Sequence, residues 1–233
     1  MTQLIVRLVR ICSATGFLCL ALALGRAPFA AAQAGFHDQP QGYVRFDTNL
    51  KDHQFWLGGG IPAGPVELHG DLVLEGRTLQ ADAGVAFYAG ALAMLPMIGT
   101  SFDFSDKRFD RLIMPRLFTV LEFGPLYFES WLQLTLRDAL KNGTTDDFYT
   151  RDFLLVTITE CLAVGPQVEV RAALEKQRGG PRNRILNLPV GGQVSTAWGA
   201  NRFALFLGYE TAKFARGDGS GVTGRFTYVR SWQ

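Results

Sequence analysis

Hydrophobic residues recur at every second position through most of this chain, and no other feature restricts its fold so strongly. Val66, Leu68, Leu72 and Leu74 alternate with Glu67, His69 and Asp71. Leu79, Ala81, Ala83, Val85 and Phe87 alternate with Gln80, Asp82, Ala86 and Tyr88. The same rhythm returns in Leu126–Leu136, in Val168–Leu174, in Phe203–Tyr209 and in Val222–Tyr228. Successive side chains of a strand point to opposite faces, so each segment has one greasy side and one wet or small side. The pattern predicts about twelve strands, with ten as the lower count: 42–50, 53–61, 66–75, 79–90, 97–104, 112–123, 126–136, 153–164, 167–175, 188–199, 202–211 and 222–232.

The greasy sides must be hidden in a core or shown to lipid. Hydrophobic residues make up 48% of the chain, aromatics 12% and charged groups only 19%. Beyond the N-terminal leader no stretch reaches the roughly 18 apolar residues that a membrane helix needs. The nearest, Val85 to Thr100, is interrupted by Pro96. A helical membrane protein is excluded on span length, which leaves a sheet.

Residues 1–34 read as a secretory signal peptide. Arg7 and Arg10 form a positive start, Ile11 to Leu24 is an uncharged apolar run, and Ala32-Gln33-Ala34 offers the small-x-small cleavage pattern. The expected organisation is a signal at 1–34, an N-terminal extension at 35–41 and one β-domain at 42–233. Loss of Arg7, Arg10 and Arg26 with the signal turns the formal charge of +2 into a small net negative one. Nothing in that balance points to nucleic acid. Cys12 and Cys19 leave with the signal as well, so Cys161 has no disulfide partner in the chain and no cysteine metal site is expected.

The connections carry a second pattern. Gly64-Pro65, Gly124-Pro125, Gly165-Pro166 and Ala200-Asn201 read as tight turns. Residues 137–152, 176–187 and 212–221 read as longer loops, rich in Gly, Asn, Asp, Lys and Arg. Short turns on one rim and longer loops on the other describe a closed antiparallel transmembrane β-barrel, with short periplasmic turns and both termini on that side. Closure has a physical cause: each unpaired backbone N–H or C=O in hydrocarbon costs several kcal/mol, so a sheet edge cannot stay there.

The stretches Leu188-Pro-Val-Gly-Gly-Gln-Val-Ser-Thr-Ala-Trp-Gly, Phe203-Ala-Leu-Phe-Leu-Gly-Tyr-Glu-Thr and Gly224-Arg-Phe-Thr-Tyr-Val-Arg-Ser-Trp232 resemble the closing strands of Gram-negative outer-membrane porin-like barrels. The resemblance is of pattern and class and covers most of the chain after the signal. It implies insertion by the barrel-assembly machinery, which reads a C-terminal aromatic. Here Trp232 is followed by Gln233, and Arg230 breaks the apolar alternation.

If the greasy faces meet lipid, the lumen is lined by Arg45, Asp47, Glu67, His69, Asp71, Glu75, Asp82, Arg116, Glu122, Glu129, Gln133, Glu169, Arg171, Glu175, Gln193, Glu210 and Arg225. Acids outnumber bases among them, which in an open pore favours cations. The arginines could instead pair with those acids and plug a barrel this narrow. Trp56, Trp131, Trp198 and Trp232, with Tyr209 and Tyr228, are candidates for an interfacial belt, although Trp131 falls on the lumen face. Lys176, Arg178, Arg182 and Arg184 would sit in a long loop, where lipopolysaccharide phosphates are a possible partner and a solvated charge run is the plainer reading.

No chemistry-bearing motif stands out. Glu67, His69 and Asp71 share a strand face but match no known catalytic or metal spacing. Gly-x-Ser-x-Gly, phosphate loops and dinucleotide fingerprints are all missing from the sequence. The expectation is a non-enzymatic outer-membrane channel for passive diffusion of small solutes through a polar, net acidic lumen, without cofactor or metal and embedded in outer-membrane lipid. The alternatives are a plugged structural or interaction barrel, an outer-membrane enzyme, and a soluble periplasmic β-barrel. Solute identity and oligomeric state are not legible.

Overall fold

Alternating apolar residues broken by Gly-containing pairs produce hairpins of nearly uniform length. The computed structural model describes residues 39–49, 52–136, 146–174, 185–212 and 221–233. Over them run thirteen strands: β1 (Gln41–Asn49), β2 (His53–Ala63), β3 (Val66–Glu75), β4 (Thr78–Ala89), β5 (Leu92–Asp103), β6 (Arg108–Phe123), β7 (Leu126–Thr135), β8 (Asp147–Thr159), β9 (Leu162–Ala173), β10 (Ile185–Asn187), β11 (Pro189–Trp198), β12 (Asn201–Glu210) and β13 (Val222–Trp232). The expected signal at 1–34 and most of the expected extension lie outside the described residues.

Twelve of these strands make one closed antiparallel ring. Each pairs with its neighbours in sequence, and β13 returns to β1 from Gly42↔Trp232 to Asn49↔Arg225. The thirteenth, β10, prolongs the line of β11 along β9. Leu188 separates the two, and its backbone N–H leaves the ladder to donate to Glu210 Oε1 at 2.8 Å.

Both described termini lie on one rim, with the turns at 64–65, 90–91, 124–125, 160–161 and 199–200. Gly64, Gly90, Gly124 and Gly199 have φ between 56° and 68°, the left-handed region that two-residue hairpin turns require. On the other rim Gly76-Arg77 joins β3 to β4, and the three widest connections follow β7, β9 and β12.

Three sequence expectations need correction. Gly165-Pro166 is not a turn; it lies inside β9, and β8 turns at Glu160-Cys161 instead. Gly165 is needed there because a Cβ would run into the carbonyl oxygen of Leu154. The pairing between β8 and β9 skips from Phe153↔Gln167 to Val156↔Val164 around Pro166, which has no N–H to give. The fifth strand begins at Leu92 rather than 97, and Pro96 sits within it, where the β4 ladder skips from Gly84↔Met97 to Phe87↔Met94. The eighth begins at Asp147 rather than 153, which adds Arg151 to its inward face.

The two faces of the wall have opposite character. Leu57, Ile61, Leu68, Leu72, Ile98, Ile158, Val194, Leu205 and Leu207 are exposed on the outside. Asp47, Glu67, Asp71, Asp82, Arg116, Glu129, Arg151, Glu169 and Gln193 are buried inside. A soluble protein would reverse this arrangement, because exposed apolar patches beyond a few hundred Å² are rare in water. Hydrocarbon around the outside satisfies it, and the soluble-barrel alternative falls with it.

Candidate functional site: the barrel lumen

Every lumen residue follows from the register. Once Asp47 on β1 points inward, its partners Gln54 on β2 and Thr227 on β13 point inward with it, and the parity carries around the ring. The interior contents fall into three groups.

The first lies along β1, β3 and β4. Glu67 accepts from Gln41 Nε2 at 3.1 Å and from Tyr88 Oη at 3.1 Å. Asp71 accepts from Tyr43 Oη at 2.5 Å. His69 stands between them, Nδ1 3.5 Å from Glu67 and Nε2 3.2 Å from Asp71. Space for these carboxylates comes from glycine: a Cβ on Gly58 would collide with Asp71, and one on Gly60 with Glu67. The acids therefore lie flat against β2 rather than reaching into the lumen.

The second group spans the lumen. Trp56 on β2 and Trp131 on β7 meet edge to face with ring centres 4.8 Å apart. Their strands stand five places apart in a ring of twelve. The Arg45, Arg116 and Arg151 guanidinium carbons lie 5.5, 5.3 and 5.5 Å from the Trp131 ring centre, within range for cation–π attraction. Arg45 and Trp131 rise from directly opposite strands, so side chains cross the full width at this level. Arg116 donates to Asp82 at 2.7 Å, with the two side chains 5% and 0% exposed. Arg45 donates to Asp47 at 2.8 Å, and Thr227 donates to the same carboxylate. Trp56, a candidate for the interfacial belt, is 4% exposed inside the lumen, which corrects that expectation. Trp198, at 81%, and Trp232, at 47%, do lie on the outer surface near the short-turn rim.

The third group surrounds a cavity of about 40 Å³ on the β7–β13 side. Arg45, Arg151, Arg202 and Arg225 line it together with Gln167, Gln193 and Phe206, and Glu129 is the one carboxylate among the lining residues. Arg225 pairs with Glu169 at 3.0 Å and Arg151 with Glu129 at 3.5 Å. Arg202 donates to Ser195 Oγ at 3.1 Å and Tyr127 Oη at 3.2 Å, both neutral.

The remaining expected lumen residues stand apart from the cavity. Arg171 pairs with Asp147 at 3.0 Å. Gln133 donates to Thr135 Oγ1 at 3.2 Å. Glu210 accepts from the Leu188 and Ala212 backbones. Glu175 and the basic loop residues Lys176, Arg178, Arg182 and Arg184 lie outside the described residues. Arg151 is absent from the expected lumen residues because β8 extends six residues upstream of the expected 153, and Arg202 is absent although Ala204 and Phe206 share its inward parity.

No protein-family model and no curated protein matches the sequence. Solved structures do resemble the fold. The KdgM porin superposes with a TM-score of 0.50 at 10% identity, over 83% of this chain and 99% of that one. The NanC porin gives 0.52 at 9%, over 82% and 99%. An outer membrane channel from Pseudomonas putida F1 gives 0.54 at 8%, over 89% and 100%. The likeness is one of fold: the chain closes into a β-barrel similar to those of these porins and this outer membrane channel.

Proposed function

We propose that the protein is an outer-membrane channel for small polar solutes, with a lumen narrowed to side-chain dimensions where Trp56 meets Trp131. One observation carries the reading: a polar, charged interior enclosed by an apolar outer wall in a closed twelve-strand ring. A solute entering such a lumen exchanges part of its hydration for contacts with wall groups, and selectivity follows from the width and the charges it meets. Among the described residues carboxylates outnumber guanidinium groups in the interior, which works in favour of cations. The cavity arginines work in the opposite direction. The arginines face the cavity directly, whereas Glu67 and Asp71 are folded against β2, so the arginines meet a solute there first.

The contact of Arg45 with Trp131 across the full width favours a second reading, a plugged barrel. Planar-bilayer recording of refolded protein separates the two. The channel reading expects discrete conductance from the native chain and a severalfold rise in Trp131→Ala. Silence from the native chain with conductance only in Trp131→Ala supports the plugged barrel. Silence from both, with folding verified by heat-modifiable gel migration, rejects a channel.

A further inference from the structure

We infer that the cavity beside the Trp56–Trp131 crossing is a binding site for the head of a small hydroxy acid: one carboxylate with a neighbouring hydroxyl. The site stands whether or not the barrel conducts, because a blind lumen can hold a ligand too.

Charge is the first reason. Four guanidinium groups, on Arg45, Arg151, Arg202 and Arg225, face one small space. Three carboxylates touch them: Asp47, Glu129 and Glu169. Arg202 donates to the neutral oxygens Ser195 Oγ and Tyr127 Oη, while the Glu122 and Glu129 carboxylates attract it through space. The walls of the cavity thus carry four guanidinium groups and one carboxylate, a local excess of positive charge. An anion in the cavity would offset it.

Unmet hydrogen bonds are the second reason, and they specify the ligand further. Arg151 is 5% exposed and its Nε has no acceptor. Gln167 is 2% exposed; its Nε2 donates to Glu169 Oε1 at 2.8 Å, which fixes the amide orientation and leaves Oε1 without a donor. Both residues line the cavity. Buried polar atoms of this kind are rare without a partner. A guanidinium N–H calls for an anionic oxygen, and an amide oxygen calls for an O–H or N–H donor. An acid bearing a hydroxyl supplies both; a halide or a bare carboxylate supplies only the first.

Size is the third reason. A water needs roughly 10–15 Å³ on the same measure, so about 40 Å³ holds a two- or three-carbon acid or the acidic end of something longer.

Calorimetric titration of the full-length refolded barrel tests the inference with three probes of similar size: glycolate, acetate and ethylene glycol. Glycolate should bind at least tenfold more tightly than acetate, and ethylene glycol not detectably. Arg202→Gln should weaken glycolate tenfold or more, while Arg202→Lys keeps most of the affinity. Gln167→Leu should bring glycolate down to the level of acetate. Each variant is accepted only if its heat-modifiable migration matches the native barrel. The inference is overturned if glycolate does not bind, if glycolate and acetate bind equally to the native protein, or if Arg202→Gln binds as well as the native chain.

Discussion

Arg116 shows how much a single lumen residue can hold. Its guanidinium meets Asp82 at 2.7 Å with both side chains almost fully buried, and it lies 5.7 and 5.3 Å from the Trp56 and Trp131 ring centres. Removing one member of a buried pair leaves the other charge uncompensated, at a cost of about 3–5 kcal/mol. Arg116→Ala should therefore lower the unfolding free energy of the refolded barrel by about that amount in a urea titration. The double substitution Asp82→Asn with Arg116→Met should lose distinctly less, because no bare charge remains. Equal losses from the two variants would show that packing against the tryptophans, and not charge, is what Arg116 contributes.

At the scale of strands, the internal prolines make the wall uneven. Pro96 and Pro166 each coincide with a skipped stretch of ladder. Beside Pro166 the backbones of β8 and β9 come so close that only Gly165 fits. Gly165→Val should push these strands apart; the expected result is a marked fall in the fraction of refolded protein that migrates as the compact heat-modifiable form. Gly70→Ala is the control, since a Cβ there meets only ordinary contact with the Asp82 carbonyl at 3.6 Å. The Gly165 region is also where the sequence was hardest to read. Gly-Pro ordinarily punctuates a turn, and nothing local distinguishes a turn from a close approach between two neighbouring strands. Glu160-Cys161, which does turn, carries neither Gly nor Pro. Strand identity was legible elsewhere because period-2 alternation is written locally in residues such as Leu68, Asp71 and Leu72. Lumen contacts were not, because Arg45 meeting Trp131 depends on strands six places apart around a ring, and only closure brings them together.

For the molecule as a whole, the meeting of β1 with β13 has a consequence of its own. The first strand of the ring and the last are hydrogen-bonded side by side, from Gly42↔Trp232 to Asn49↔Arg225. The cylinder therefore has no natural starting point, and the place where the chain is cut is arbitrary to its geometry. Linking residues 41 and 232 with a short Gly/Ser peptide and opening the chain at Gly124-Pro125 should give a permuted protein that still refolds, as judged by heat-modifiable migration. The same seam makes assembly a matter of completion. A chain that stops before Val222 presents two raw edges, on β1 and on β12, and neither can rest in oil. Such a fragment has no halfway resting state in the bilayer, which leaves quality control a simple thing to recognise: an unzipped ribbon instead of a tube.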